Sequence, residues 1–173
     1  MRDRLDRSTL QVVAPMAGTV VDLADVPDPV YSGAVVGPGL AILPDEPAAP
    51  AAPAGSGLPV VARVVVVAPC PGRVSGVYPH ALMIQADHDR SVLVHLGLDT
   101  SQLEGQGFDV ATADGDRVER GQPVLAWSPA DVRGGGRSTL CPLVALQAQP
   151  EDVVLLVEAG DAVVEGQPVL LWS

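Results

Sequence analysis

Glycine and proline interrupt this chain about every eight to twelve residues, and that spacing limits what it can fold into. The 173 residues contain 18 Gly and 17 Pro, too many for long helices. The segments between them are short and rich in valine, which favours strands. We therefore expect an all-β fold: one antiparallel β-sandwich or flattened barrel, with residues 1–173 in a single domain.

Two internal repeats support this expectation. Residues 13–20 and 67–74 share the pattern Val-Ala-Pro-x-x-Gly-x-Val, which predicts a strand, a tight turn at the glycine and a return strand. Residues 115–127 and 160–172 share Gly-Asp-x-Val-x-x-Gly-Gln-Pro-Val-Leu-x-Trp. This pattern predicts two glycine turns and an apolar strand that ends in a buried tryptophan. We assign both repeats a structural role only.

The remaining segments carry less information. The Pro/Ala-rich stretch 45–57 is expected to be a surface loop, not a domain boundary, because copies of the first repeat lie on either side of it. Residues 1–10 are expected to form a solvated tail. No signal peptide or long apolar span is visible, so we expect a cytoplasmic protein. Cys70 and Cys141 show neither metal-ligand spacing nor a disulfide framework and are expected to be buried thiols.

Charge and residue usage exclude several function classes. The net charge of −11 argues against nucleic acid and anionic membranes, and it favours a basic partner, with a merely solvated acidic surface as the alternative. All ten basic residues are arginine. Without lysine, the chain cannot form a Schiff base or carry biotin or lipoate. We expect no cofactor and no metal.

Two of the three histidines are placed to meet. His80 and His95 lie on neighbouring apolar segments joined by the polar stretch 86–90. A hairpin whose loop is centred on Asp87 and His88 would pair residues whose numbers sum to 175, and His80 would then lie opposite His95. Their Cβ atoms would be about 5 Å apart on one sheet face.

Paired imidazoles can bind a metal, form part of a hydrolytic site, or accept a phosphoryl group on nitrogen. A catalytic zinc needs a third ligand, for which Asp99 is the nearest candidate, but the chain turns before it and no His-x-His is present. No Gly-x-Ser-x-Gly occurs either. The remaining possibility is that a histidine itself acts as the nucleophile. The alternative is that both histidines have only a structural role in the sheet. His88 is expected to be a solvated turn residue.

The segment 95–108 reads His-Leu-Gly-Leu-Asp-Thr-Ser-Gln-Leu-Glu-Gly-Gln-Gly-Phe. It resembles the signature of the glucose-family enzyme IIA of the bacterial phosphoenolpyruvate-dependent sugar phosphotransferase system. Supporting blocks follow in that family's order and span nearly the whole chain: 14–18, 26–31, 37–44, 68–72, 79–81 and the Gly-Asp-x-Val-x-x-Gly repeat.

The resemblance implies a β-sandwich that takes a phosphoryl group from the histidine phosphocarrier protein onto His95. It implies onward transfer to a cysteine of the IIB domain of a sugar permease, so that the chain meets the membrane only through that permease and binds no sugar itself. His80 would be the supporting imidazole. The resemblance also implies a partner-binding surface made of Asp28, Val30, Tyr31 and Asp99.

One departure from the family pattern lies beside the first histidine. The family commonly has a threonine two residues before it, where this chain has Tyr78. Two alternatives stay open: a zinc-dependent hydrolase of a related barrel-sandwich fold, and a purely regulatory binding protein that has lost transfer.

Overall fold

The computed structural model describes residues 9–47 and 62–173. Within these ranges the regular secondary structure is mostly β-strand, with two short helices, α1 (Pro29–Ser32) and α2 (Pro129–Gly134). The strands are β1 (Leu10–Val13), β2 (Gly18–Asp22), β3 (Gly39–Pro44), β4 (Val64–Val67), β5 (Gly72–Tyr78), β6 (Ala81–Gln85), β7 (Ser91–His95), β8 (Phe108–Val110), β9 (Arg117–Val118), β10 (Pro123–Trp127), β11 (Cys141–Ala145), β12 (Val153–Leu155), β13 (Ala162–Val163) and β14 (Pro168–Trp172).

The strands form three sheets, and all their pairs are antiparallel. The largest sheet has the order β13-β2-β3-β11-β7-β6-β5-β9, and two smaller ones have the orders β1-β14-β12 and β4-β10-β8. Short 3₁₀ turns at Asp87–Asp89, Thr100–Leu103 and Pro150–Asp152 lie in the connections after β6, β7 and β11. The predicted all-β antiparallel sandwich is confirmed.

The two sequence repeats are also repeats of structure. The copies of the first repeat bond to each other reciprocally, since Val13 N–H donates to Pro69 O and Val67 N–H donates to Pro15 O, each at 2.9 Å. The two copies of the second repeat pair with their edge strands in the same register. In one copy Trp127 of β10 lies opposite Phe108 of β8, and in the other Trp172 of β14 lies opposite Val153 of β12. The small sheets are therefore two copies of one unit.

Both copies contribute to one hydrophobic core. Val124 and Trp127 from one copy belong to the same cluster as Val169 and Leu170 from the other. Both tryptophans are buried, as predicted. Cys70 and Cys141 are also buried and unpaired, and burial raises the pKa of each thiol to about 12, which confirms the prediction for both cysteines.

The register predicted for the β6–β7 hairpin is wrong by one residue. His95 lies opposite Ala81, and Gln85 lies opposite Ser91, so paired numbers sum to 176 and the loop has an odd length. Ala86 N–H donates to Arg90 O at 2.7 Å and closes a loop in which His88 and Asp89 have φ of 61° and 57°. Histidine and aspartate tolerate this left-handed region better than most side chains, which permits the odd loop.

Two further expectations concern the amino-terminal tail and the 45–57 loop. The predicted tail is one residue too long, because Leu10 is buried and begins β1. Its residues 1–8 lie outside the described residues, as do residues 48–57 of the predicted 45–57 loop. No helix among the described residues has the length and apolarity needed to cross a membrane.

Candidate functional site

His80 lies in a turn, not in a strand. Tyr78 ends β5 and pairs with Ala81, the first residue of β6, so Pro79 and His80 form the tight connection between them. The carbonyl of His80 accepts a 2.8 Å hydrogen bond from Leu96 N–H, and this bond fixes the turn against the end of β7. The ring of His80 can therefore reach His95 although the two residues are not register partners.

The two imidazoles meet as predicted. Their ring centroids lie 5.2 Å apart, with the ring planes inclined by 59°. His80 and His95 are both half-buried, so neither side chain is fully closed off from solvent. A group bound to one ring would lie beside the other.

A backbone carbonyl sets the tautomer of His95. Its Nδ1 lies 2.5 Å from Gly97 O, and because a carbonyl can only accept, Nδ1 must carry the proton. The lone pair of the neutral ring is then on Nε2. His95 is thereby oriented as a nucleophile at one defined nitrogen.

The loop after β7 holds that carbonyl in place. Gly97 has φ of +77°, and a Cβ at this position would lie 2.6 Å from both Ser138 O and Thr100 Cγ2. The buried Thr100 donates from Oγ1 to Leu96 O at 2.7 Å. Leu98 N–H donates to Ser138 O at 3.0 Å. The loop is thus fixed on both sides, and only glycine fits its centre.

A tyrosine flanks each histidine. Tyr78 stacks on His80 with centroids 5.9 Å apart and planes inclined by 29°, and Tyr31 lies against His95 at 6.0 Å in a tilted arrangement. Tyr31 is buried, whereas Tyr78 is exposed. The four rings form a row from the buried side of the site to solvent.

Three of the four predicted docking residues, Asp28, Val30 and Tyr31, lie at or in the helix α1. Asp28 caps it by accepting a 2.9 Å hydrogen bond at Oδ1 from Val30 N–H, and Pro29 at its first position suits a helix start. This cap turns Tyr31 inward, into a small cluster with Val26 and other apolar residues, while Val30 stays exposed. Asp99, exposed and with φ of 57°, begins the turn after β7.

The site keeps both histidines neutral near neutral pH. Burial lowers the pKa of His95, and the carbonyl of Gly97 and the carboxylates of Asp28 and Asp99 oppose that shift only in part. Burial, and then the charge of His95, lower the pKa of His80. Burial and Asp28 raise the pKa of Tyr31, so its phenol stays protonated.

Metal chemistry gains no support from the donor set. Over residues 9–47 and 62–173, no three or more His, Cys, Asp or Glu side chains are grouped so as to hold a metal ion. Asp99, the candidate third ligand, acts on His95 through its charge.

Sequence reasoning identified the two histidines but missed what orients them. The contact of Gly97 O with His95, the hydroxyl of Thr100 and the stacking of Tyr78 were not predicted. A glycine two residues after a reactive histidine was the available signal for the first. The sequence marks Tyr78 only as a departure from the family pattern.

Comparison with known proteins agrees with this geometry. Residues 10–151 match the family model of the phosphoenolpyruvate-dependent sugar phosphotransferase system, EIIA 1. The glucose-specific EIIA component of Staphylococcus aureus (strain Mu50) is 34% identical over 137 residues, which are 78% of this chain and 72% of that protein. Its counterpart in Staphylococcus epidermidis (strain ATCC 35984) is 32% identical over the same length.

A solved structure extends the likeness to the fold. The glucose permease IIA of Mycoplasma capricolum superimposes with a TM-score of 0.77 and 26% identity, covering 95% of this chain and 96% of that one. The family model, the relatives and the fold agree. The chain therefore belongs to the EIIA 1 family of the phosphoenolpyruvate-dependent sugar phosphotransferase system and is a phosphoryl carrier of that system, accepting phosphate from the histidine phosphocarrier protein and passing it to IIB.

Proposed function

We propose that His95 is the phosphoryl acceptor and that it reacts through Nε2. The lone pair of Nε2 attacks the phosphorus carried on a histidine of the phosphocarrier protein. The new Nε2–P bond forms as the donor's N–P bond breaks, and the donor nitrogen keeps the electron pair. The observation that carries this proposal is the 2.5 Å contact of Nδ1 with Gly97 O, which leaves Nε2 unprotonated.

Onward transfer reverses the same chemistry. A cysteine thiolate of the IIB domain attacks the phosphorus, the S–P bond forms, and Nε2 of His95 leaves with its electron pair. His80, 5.2 Å away between ring centroids, donates a hydrogen bond to a phosphoryl oxygen and stabilises the charge that develops there. Both imidazoles return to their starting state after each cycle.

The face around the histidines serves as the docking surface for both partners. Val30 provides its exposed apolar part, the buried Tyr31 supports the surface from below against His95, and Asp28 and Asp99 provide charge beside His95. The net charge of −11 steers a partner that brings arginine or lysine to this face. The relatives are named as glucose-specific components, so the permease partner takes up glucose. The carrier works in the cytoplasm, where phosphoenolpyruvate is made.

The test is transfer from labelled phosphoenolpyruvate, through the general phosphotransferase enzyme and the phosphocarrier protein, to single-histidine variants. Wild type and His80→Gln should take up acid-labile label, and His95→Gln should take up none. His80→Gln should pass its label to IIB about a hundredfold more slowly, as loss of one stabilising hydrogen-bond donor predicts. His88→Gln is the matched control, because His88 is exposed in the loop between β6 and β7, and it should behave as wild type.

Two results would contradict the proposal. Label on His95→Gln at the wild-type level would place the acceptor elsewhere. Unchanged onward transfer from His80→Gln would remove His80 from the reaction and leave it a structural neighbour of His95.

A further inference from the structure

The small sheet β1-β14-β12, which is the second copy of the repeated unit, exposes an apolar strand at its edge. β12 pairs with β14 and has no strand on its other side among the described residues. Val154, Leu155 and Leu156 are consecutive and are exposed by 53%, 46% and 45%. Soluble proteins usually protect such edges with charges or bulges, because an open apolar edge invites another strand.

The first copy, β4-β10-β8, shows that the fold does not require Val154 and Leu156, although the equivalent of Leu155 is the exposed Val110. Its edge strand β8 has the same register against β10 that β12 has against β14. The equivalents of Val154 and Leu156 there are Asp109 and Ala111, and Asp109 forms an ion pair with Arg63 at 2.9 Å. One backbone thus carries a protected edge in one copy and an apolar edge in the other.

The backbone of β12 is ready to accept a strand. Asp152 O accepts from Ser173 N–H and Leu156 N–H donates to Val169 O, each at 2.9 Å. Backbone groups alternate in direction along an antiparallel strand, so those of Leu155 and Val157 are directed to the open side.

The surrounding charge is acidic. Glu151 and Asp152 precede β12, and Glu158 follows the apolar run. After Arg137 the chain contains no Arg, Lys or His, but it contains Glu151, Asp152, Glu158, Asp161 and Glu165. A second copy placed antiparallel on this edge would bring like charges together, which disfavours it as the occupant.

We propose that the β12 edge is a second docking site, which adds an extended apolar segment of a partner protein bracketed by arginine or lysine. Backbone hydrogen bonds to the open side of Leu155 and Val157 give affinity. Contacts with Val154 and Leu156 select apolar side chains, and the flanking carboxylates select basic ends. The site lies in a different sheet from the histidines.

The probe is the peptide acetyl-Arg-Thr-Val-Thr-Val-Thr-Arg-amide, titrated to about 1 mM into the full chain and followed by backbone NMR. Shifts should concentrate on residues 153–158. The same peptide with Glu at both ends should bind about tenfold more weakly. The double variant Val154→Asp/Leu156→Ala, which copies Asp109 and Ala111 at the β8 edge, should lose the shifts yet accept phosphate at the wild-type rate, which shows that it is folded.

Val110→Asp on β8 is the matched control and should bind the peptide as wild type does. The proposal fails if the shifts miss residues 153–158, if the acid-ended peptide binds equally well, or if the double variant still binds. It also fails if sedimentation shows a dimer that the double variant abolishes, because the occupant would then be a second copy of this chain.

Discussion

At the residue scale, burial has a larger effect on His95 than its two neighbouring carboxylates. Its pKa lies below the ordinary 6.5, as does that of His80. A phosphoryl acceptor must be neutral, so the rate of phosphorylation should stay constant as pH falls through 6.5 and should decline only below the lowered pKa of His95. Proton NMR titration of the imidazoles, alongside the pH profile of label uptake, measures both quantities.

Two variants test the sign of this effect. Asp28→Asn removes a carboxylate that raises the pKa of His95, so the decline should move to still lower pH. His95→Gln removes a charge that lowers the pKa of His80, so His80 should titrate at higher pH. If His95 in the wild type titrates at or above 6.5, the carboxylates and the carbonyl of Gly97 outweigh burial, and the electrostatic account is wrong.

At the element scale, the loop after β7 is the part of the site least tolerant of change. Gly97→Ala would place a Cβ 2.6 Å from Ser138 O in a left-handed conformation. It should destabilise the fold by about 2 kcal/mol or more, and it should slow phosphorylation further by displacing the carbonyl that orients His95. Urea denaturation and initial rates of label uptake separate the two effects.

Gly121→Ala is the matched control for that substitution. Gly121 has φ of +86°, but a Cβ added there would meet no atom within 4 Å, so the substitution carries the conformational cost of about 1 kcal/mol without the steric clash. Its phosphorylation rate should equal that of wild type. Equal losses for Gly97→Ala and Gly121→Ala would show that the close packing around Gly97 has no role.

The elements also show where sequence reasoning stops. Strands, turns and the meeting of His80 with His95 could be predicted, because valine runs, glycine turns and a short polar connection are local signals. The register could not, because it depends on His88 and Asp89 adopting left-handed conformations, which these side chains tolerate but do not require. The contact between His95 and Gly97 O depends on Ser138 and Thr100 packing around the loop, and that packing belongs to the tertiary structure.

At the scale of the whole molecule, two copies of one unit share a core but differ at their edges. The shared interior follows from the repeats, since Val124 and Val169 occupy equivalent places in one cluster. The edges are free to differ because they face solvent, which is why β8 can carry Asp109 while β12 carries Val154. We propose on this basis that the chain is a single domain, in which neither copy can bury its apolar surface alone.

Cooperative unfolding tests that proposal with the chain's own probes. The only two tryptophans, Trp127 and Trp172, report on one copy each. Trp127→Phe leaves a cavity in the core and should destabilise the fold by about 1–3 kcal/mol, but it leaves no new polar group unpaired, because Trp127 Nε1 has no hydrogen-bond partner among the described residues, and a phenyl ring can still stack on Phe108. It leaves Trp172 as the reporter, and Trp172→Phe leaves Trp127. In each variant, the fluorescence midpoint in urea should coincide with the midpoint measured by circular dichroism. If the two probes of either variant unfold at different urea concentrations, the copies separate before the core is lost, and the chain is not one domain.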